Sequence, residues 1–246
     1  MRAILFDFGG TLDSPRHWLD RFVTHYCAAG IDITRNELNR AFSIATQQAY
    51  ARSARLRDYT LLQLVGFLVD LQFESLRALG AVSPDRFSDK MSPGRAFKEL
   101  KEQICQLFVA ESAAGLAASR PLLMSFARRL KVGVVSNFYG NLERILADAD
   151  LAQSITAIAD SGRLGCSKPD PRIFAASLEQ LGVHPRETVM VGDSIVKDCA
   201  PARAMGMATV WLRHCDVGGC TLAPGDPVDF TIDRLEELKD FEWLTG

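Results

Sequence analysis

Ala3-Ile4-Leu5-Phe6-Asp7-Phe8-Gly9-Gly10-Thr11-Leu12 is an apolar run closed by a carboxylate and a pair of glycines. A short apolar run bounded by turn-forming residues reads as a buried strand that meets a tight turn. One strand is not stable by itself, so its partners must come from further along the chain. They do not come next. From about Pro15 to Arg120 the apolar residues recur at helical spacing, with no strand signal among them. Ser14-Pro15 predicts a helix start, with Ser at the cap and Pro in the first turn. Thr34-Arg35-Asn36-Glu37 has the spacing of a capping box. A further helix is predicted over 60–79, then a breaker-rich connection from Ser83-Pro84 to Ser92-Pro93-Gly94. Phe97, Leu100, Ile104, Leu107 and Phe108 resume the helical rhythm.

After Arg120 the rhythm alternates. A helix over 121–130 precedes a strand at Val132-Gly133-Val134-Val135, and a helix near 140–149 precedes a strand at Ile155-Thr156-Ala157-Ile158. A helix from Pro171 to Leu181 precedes Thr188-Val189-Met190-Val191, and a helix over 197–205 precedes Ala208-Thr209-Val210-Trp211. A short strand at 229–232 leads into a helix near 234–240. Strands alternating with helices imply a parallel sheet covered on both faces. The first strand must join that sheet. The fold class is therefore α/β, a parallel-sheet core of residues 1–13 and 120–246 with an all-helical cap of residues 14–119 inserted.

The 246 residues leave room for such a core plus a smaller domain. The formal net charge of −2 gives no field for nucleic acid or an anionic membrane surface. The longest apolar stretch, Leu61 to Leu71, is too short to span a bilayer. It reads as a buried helix that offers a subunit contact, so a monomer or a homodimer is expected. The six cysteines form no C-x-x-C pair. They read as reduced thiols, and with a strand pattern in place of a signal peptide they point to a cytoplasmic protein. His214, Cys215 and Cys220 lie close together but read as a plain loop.

Ligands of open parallel sheets bind beyond the carboxyl ends of the strands. Four such ends carry polar residues here: Asp7, Ser136-Asn137, Lys168 in the loop after the third strand, and Gly192-Asp193-Ser194. Asp7 and Asp193 would repel unless a cation or Lys168 lay between them. Magnesium suits oxygen ligands and also touches phosphate. Ser136 and Lys168 would hold the phosphoryl group, and Asp7 would accept it as an aspartyl phosphate. The substrate expected from this set is a small phosphorylated molecule.

The motifs Asp7-Phe8-Gly9-Gly10-Thr11-Leu12, Ser136-Asn137, Lys168-Pro169-Asp170-Pro171 and Gly192-Asp193-Ser194 with Asp198 resemble, in order and spacing, those of the haloacid dehalogenase-like superfamily. The resemblance implies a Rossmann-like core, Asp7 as nucleophile, and Mg²⁺ held by Asp7, the Gly9 carbonyl and Asp193. It implies a cap inserted after the first motif; the 24 residues between Lys168 and Asp193 leave no room for one at the other common position. Asp198 would bind the metal through water or brace Lys168. Ser194 would serve the metal water or cap a helix. Thr11 and Gly10 would aim backbone N–H groups at phosphate. Asn137 would fix its loop or touch the substrate, and Asp170 would order the lysine loop.

One departure from the pattern matters. Phosphatases of the superfamily carry a second aspartate two residues after the nucleophile, where this chain has Gly9. General acid–base help worth about 10²–10⁴-fold is thereby lost. A phosphatase for leaving groups of low pKa needs little of it, and Asp13 or His17 could replace it; otherwise Asp13 caps the first cap helix and His17 lies on its surface. Dehalogenases also lack the second aspartate, but they dispense with magnesium and do not need Asp193. Phosphonate-cleaving relatives use an early cap lysine, whereas the insert lysines here, Lys90, Lys98 and Lys101, are late. A phospho-ligand-binding protein without catalysis would not need the nucleophile. Arg16, Arg21, Arg52, Arg55 and Arg57 are cap arginines expected mainly on solvated faces, and Trp18 and Tyr50 are expected to pack.

Overall fold

The computed structural model describes residues 1–81, 93–214 and 225–242. The opening stretch forms β1 (Ala3–Phe6), buried along its whole length. The other strands are β2 (Lys131–Ser136), β3 (Ala157–Asp160), β4 (Thr188–Gly192), β5 (Ala208–Leu212) and β6 (Phe230–Ile232). Among the described residues they make one parallel sheet of order β3-β2-β1-β4-β5-β6. Strand residues alternate between faces. Ile4 and Phe6 therefore join one core and Ala3 and Leu5 the other, which is why β1 is apolar throughout.

From β1 the chain builds outward to β2 and β3, then returns to β4 on the other side of β1. The crevice beyond β1 and β4 is thus the switch point where open α/β sheets take their ligands. Phe6 pairs with Val134 and Val191, so Asp7 leaves the sheet between the ends of β2 and β4.

Among the described residues, the regular elements of the insert are all helices: α1 (Trp18–Ala28), α2 (Arg35–Tyr50), α3 (Ser53–Leu56), α4 (Leu61–Ala78) and α5 (Pro93–Ala127). The capping box at Thr34 and Glu37 is present, and Thr60 with Gln63 makes a second one ahead of α4. Leu64, Val65, Leu68 and Val69 of α4 are buried within this molecule, so most of the apolar stretch packs in the chain's own core. Beyond β2 the core adds α6 (Leu142–Asp148), α7 (Ser161–Leu164), α8 (Pro171–Leu181) and α9 (Ala200–Ala204).

Four boundaries differ from the sequence reading. α1 starts at Trp18 rather than Pro15, capped by His17, whose Nδ1 accepts from Leu19 N at 3.2 Å. Ser14 instead bonds outside α1: its hydroxyl donates to Glu111 Oε1 at 2.8 Å and accepts Arg16 N–H at 3.2 Å, in the turn ahead of the helix. The helix expected over 121–130 is the end of α5, which runs on through Pro121. Proline removes one backbone hydrogen bond, but Leu116, Leu122, Leu123 and Phe126 continue one buried face across it. β3 begins at Ala157 because its register with β2 starts at Gly133, leaving Ile155 and Thr156 in the lead-in. The helix after Asp193 is a π-type turn, Ile195–Cys199, that passes into α9. The connection from Ser83 to Ser92, with Lys90, and the cysteines Cys215 and Cys220 lie outside the described residues.

Candidate active site

Asp7, Asp193 and Asp198 converge beyond β1 and β4, each offering a carboxylate oxygen within 4.8 Å of the others. Lys168 Nζ, with a side chain only 2% exposed, lies 2.7 Å from Asp7 Oδ1 and 2.6 Å from Asp198 Oδ1. Phe8 N–H also donates to Asp7 Oδ1, at 2.7 Å, so both contacts go to the same oxygen. Asp198 Oδ2 accepts Ser194 N–H at 3.0 Å. Ser194 in turn caps the following turn by accepting Lys197 N–H.

The loops are set by backbone needs. Gly10 has φ +86°, a left-handed value that favours glycine. A Cβ there would stand 2.5 Å from Asp193 Oδ2, so the glycine also lets Asp193 approach. Asn137 Nδ2 donates to the Lys168 carbonyl at 2.9 Å and Asn137 Oδ1 accepts Lys168 N–H at 2.7 Å, which clamps the lysine loop to the end of β2. Asp170 caps α8 by accepting Arg172 N–H. Ser136, 3% exposed, faces the cavity at the end of β2.

Charge is unbalanced here: three carboxylates, Asp7, Asp193 and Asp198, surround one ammonium. Burial pushes the Asp198 carboxyl up to about 7, against the pull of Lys168. Burial likewise raises Asp7, with Asp193 adding to the effect. Asp193 goes the other way. Burial alone would raise it, but the His214 imidazole, 3.5 Å from Oδ2, together with His17 and Lys168, holds it below the usual carboxylate range. Lys168 is held above the ordinary lysine value because Asp198 and Asp7 outweigh its burial. A divalent cation fits this donor set, since oxygen ligands and uncompensated negative charge are what Mg²⁺ takes.

A cavity of about 510 Å³ opens onto the carboxylates. Its floor includes Asp7, Gly9, Ser136, Asn137, Lys168, Asp193 and Ser194, all of them singled out in the sequence. Thr11 and Gly10 do not form the expected anion nest. Thr11 N–H donates to the Phe8 carbonyl and Gly10 N–H to Asp13 Oδ1, because the turn uses these donors itself. Asp13 neither caps α1 nor faces the cavity. It is wholly buried, accepting from Arg21 at 2.6 Å and from Trp18 Nε1 at 2.8 Å. Arg21 is buried too, so it lies on no solvated face; it bonds Ser112 and the Phe108 carbonyl and lies beside Glu111.

The cap contributes His17, Trp18, Phe42, Thr46 and Tyr50 to the cavity wall. Trp18 and Tyr50 pack, as expected, yet they also present a face to this space. Trp18 stands over Gly9: a Cβ on the glycine would meet the indole Nε1 at 3.1 Å and Cδ1 at 3.3 Å. Sequence reasoning also missed His214 and Asp160. Asp160 accepts Gly140 N–H and Leu142 N–H and so ties down the loop after β2. Only its place at the end of an apolar run could have marked it.

Comparison with known proteins agrees with this layout. A family model described as haloacid dehalogenase-like hydrolase matches residues 1–206. Haloacid dehalogenase-like hydrolase domain-containing protein 3 of Mus musculus is 42% identical, with 97% of this chain and 92% of that protein covered. Phosphoserine phosphatase of Thermus thermophilus is 38% identical over a stretch covering 46% of this chain and 43% of that protein, less than half of either. The hydrolase YfnB of Bacillus subtilis, solved bound to magnesium, gives a TM-score of 0.59 at 19% identity, with 97% of both chains covered, a likeness that shows the fold.

Proposed function

Because the chain belongs to the haloacid dehalogenase-like hydrolases, we propose that it is a magnesium-dependent phosphatase acting on a small phosphorylated molecule through Asp7. One observation carries this reading: Lys168 bridges Asp7 and Asp198 while Asp193 stands alongside, a nucleophile and cation site with too little positive charge of its own. The 38% identity to a phosphoserine phosphatase supports it.

Asp7, the Gly9 carbonyl and Asp193 would hold Mg²⁺, with Asp198 and Ser194 supporting. The ion supplies charge neutralisation for the carboxylates and the phosphoryl oxygens. Asp7 Oδ1 is engaged by Lys168 and Phe8 N–H, which leaves Oδ2 to attack. The Oδ2–P bond forms as the bond to the leaving oxygen breaks, and Lys168 and Ser136 carry the phosphoryl charge. Water then cleaves the aspartyl phosphate and frees inorganic phosphate. With Gly9 in place of an acid, the reaction favours leaving groups that depart as stable anions.

Residues 1–13 and 120–246 act as the core and 14–119 as a cap that excludes water over the site. Ser119 Oγ donates to the Leu12 carbonyl at 2.9 Å, so the two crossings between these parts lie side by side. A cytoplasmic setting is supported by the free thiols of Cys27, Cys105, Cys166 and Cys199. No described helix is long and apolar enough to cross a membrane.

The test is phosphate release from a panel of monoesters with and without Mg²⁺, together with trapping by beryllium fluoride. Release should require the metal, disappear in Asp7→Asn, and be matched by beryllium fluoride on Asp7. Halide release from 2-haloacids without metal, and no phosphate from any ester, would replace this reading with dehalogenation. Tight binding of phosphate esters without turnover of any substrate would leave only a binding protein.

A further inference from the structure

Part of the cavity wall is aromatic. Trp18, Phe42 and Tyr50 from the cap meet Phe138 and Tyr139 from the loop after β2. The rings interlock: Tyr50 and Tyr139 are 5.2 Å apart between centroids, and Trp18 and Phe138 are 5.5 Å apart. This packing nearly buries Trp18, Phe138 and Tyr139, so the half-buried Phe42 and Tyr50 are the rings whose faces and edges a planar guest can reach. Cationic groups are missing from the same wall. Among the described residues lining the cavity, the cap provides no lysine or arginine. Arg21 is held by Asp13 and Arg16 by Thr24 and Glu111. The lysines of the cavity, Lys168 and Lys197, lie on the core side, with the phosphoryl end. A second anionic group on the substrate would find no lysine or arginine against the cap.

A separate observation concerns protons. Trp18 fills the space above Gly9, and its one N–H is given to Asp13. His17 Nδ1 accepts Leu19 N–H, which leaves Nε2 as the one nitrogen of this ring that can donate into the cavity. No carboxylic acid of the cap lines the cavity among the described residues. With no carboxylic acid from the cap near the leaving oxygen, a leaving group that departs largely unprotonated suits this site. A phenol ionises near pH 10, about five units below a water-like hydroxyl, so a phenolic ester tolerates this and an alkyl ester does not.

Building on the phosphatase reading, we propose that the substrate is an aryl phosphate, a monoester whose leaving group is an uncharged, planar phenol lying against Phe42 and Tyr50. Asp7 Oδ2 bonds to phosphorus and the P–O(aryl) bond breaks. The phenolate carries off the electron pair and takes its proton from solvent. Water then hydrolyses the aspartyl phosphate.

The experiment compares phenyl phosphate with cyclohexyl phosphate, which has a ring of equal size but an alkyl leaving group, and with glycerol phosphate, all with Mg²⁺ and the full chain. We expect kcat/KM for phenyl phosphate to exceed the other two by about 100-fold or more. Phe42→Ala and Tyr50→Leu should each raise KM for phenyl phosphate about 2–10-fold with little change in kcat. Cyclohexyl phosphate turned over as well as phenyl phosphate would overturn the proposal. If that turnover were lost in His17→Gln, His17 Nε2 would be the proton donor, and departure as a free anion would be refuted. Unchanged KM in both aromatic variants would equally overturn it. No phosphate from any ester, with Asp7 unmarked by beryllium fluoride, would remove the phosphatase reading itself and this proposal with it.

Discussion

Gly9→Asp restores the carboxylate that phosphatases of this family carry, and sequence alone predicts that it should raise turnover of alkyl phosphates. The structure predicts that the single change fails to do so. A Cβ at position 9 meets Trp18 Nε1 at 3.1 Å and Cδ1 at 3.3 Å. The indole cannot yield easily: its N–H is bonded to Asp13 at 2.8 Å, and Phe108 and Phe138 lie 4.9 and 5.5 Å from it between centroids. Forcing a side chain into such a packed place costs about 1–3 kcal/mol. For a chain of this size that is a fall in Tm of about 2–12 °C. A working general acid is worth about 10²–10⁴-fold, or roughly 3–5 kcal/mol of barrier, but only if the carboxyl reaches the leaving oxygen. With the indole in the way, the gain on cyclohexyl phosphate should stay below about 10-fold. Gly9→Asp combined with Trp18→Leu makes room, and its gain should exceed that of the single variant by at least about 10-fold. The assays are thermal unfolding and kcat/KM on matched aryl and alkyl esters. An unchanged Tm in Gly9→Asp, together with a hundredfold gain on the alkyl ester, would refute the claim that Trp18 holds this space.

Two further predictions concern the polar cluster beneath Trp18. Arg21→Ala leaves the Asp13 carboxylate buried without its cation, at a cost of about 3–5 kcal/mol; urea melts showing a loss below about 1 kcal/mol would contradict the role given to this pair. Glu111 is set by burial, which alone would raise its carboxyl, and by His25, Arg21, Ser14 and Arg16, which together bring it from 4.5 down to about 2. A depressed carboxylate stabilises the fold fully above its unfolded value of 4.5 and loses that contribution as pH falls towards 2. Its side chain is 24% exposed, so screening trims the contribution to about 1–2 kcal/mol. Urea melts of the parent and Glu111→Gln should therefore differ at pH 6 and converge as the acid limb is followed to pH 3 and below; a constant gap would count against it.

The core was legible because each of its elements announces itself locally. β1, β2, β4 and β5 are mostly apolar runs, and the polar residues that close β1 and β4 fall at the switch point by topology alone. Asp7, Lys168, Asp193 and Asp198 meet because the sheet order brings the ends of β1 and β4 together. What stayed hidden depends on neighbours distant in sequence. Asp13 looked like a cap or a catalytic group, and only Arg21 and Ser112, from two other helices, show that it is neither. Trp18 reads as a packing residue until its indole is found over Gly9. His214 reads as loop until β5 carries it to Asp193. Pro121 signals a helix break, and only the buried face spanning it shows that tertiary packing overrides the local rule.

That proline has a mechanical consequence. Pro121 has no N–H to give the carbonyl one turn back, so α5 is weakest there, close to where it passes from the insert to the sheet. About 28 residues of α5 precede it, a rod of roughly 42 Å at 1.5 Å per residue. A tilt of about 10° at the pivot sweeps the far tip through some 7 Å. Modest bending near the fulcrum is thereby geared up into a wide excursion at the rim, with no other joint required in that span.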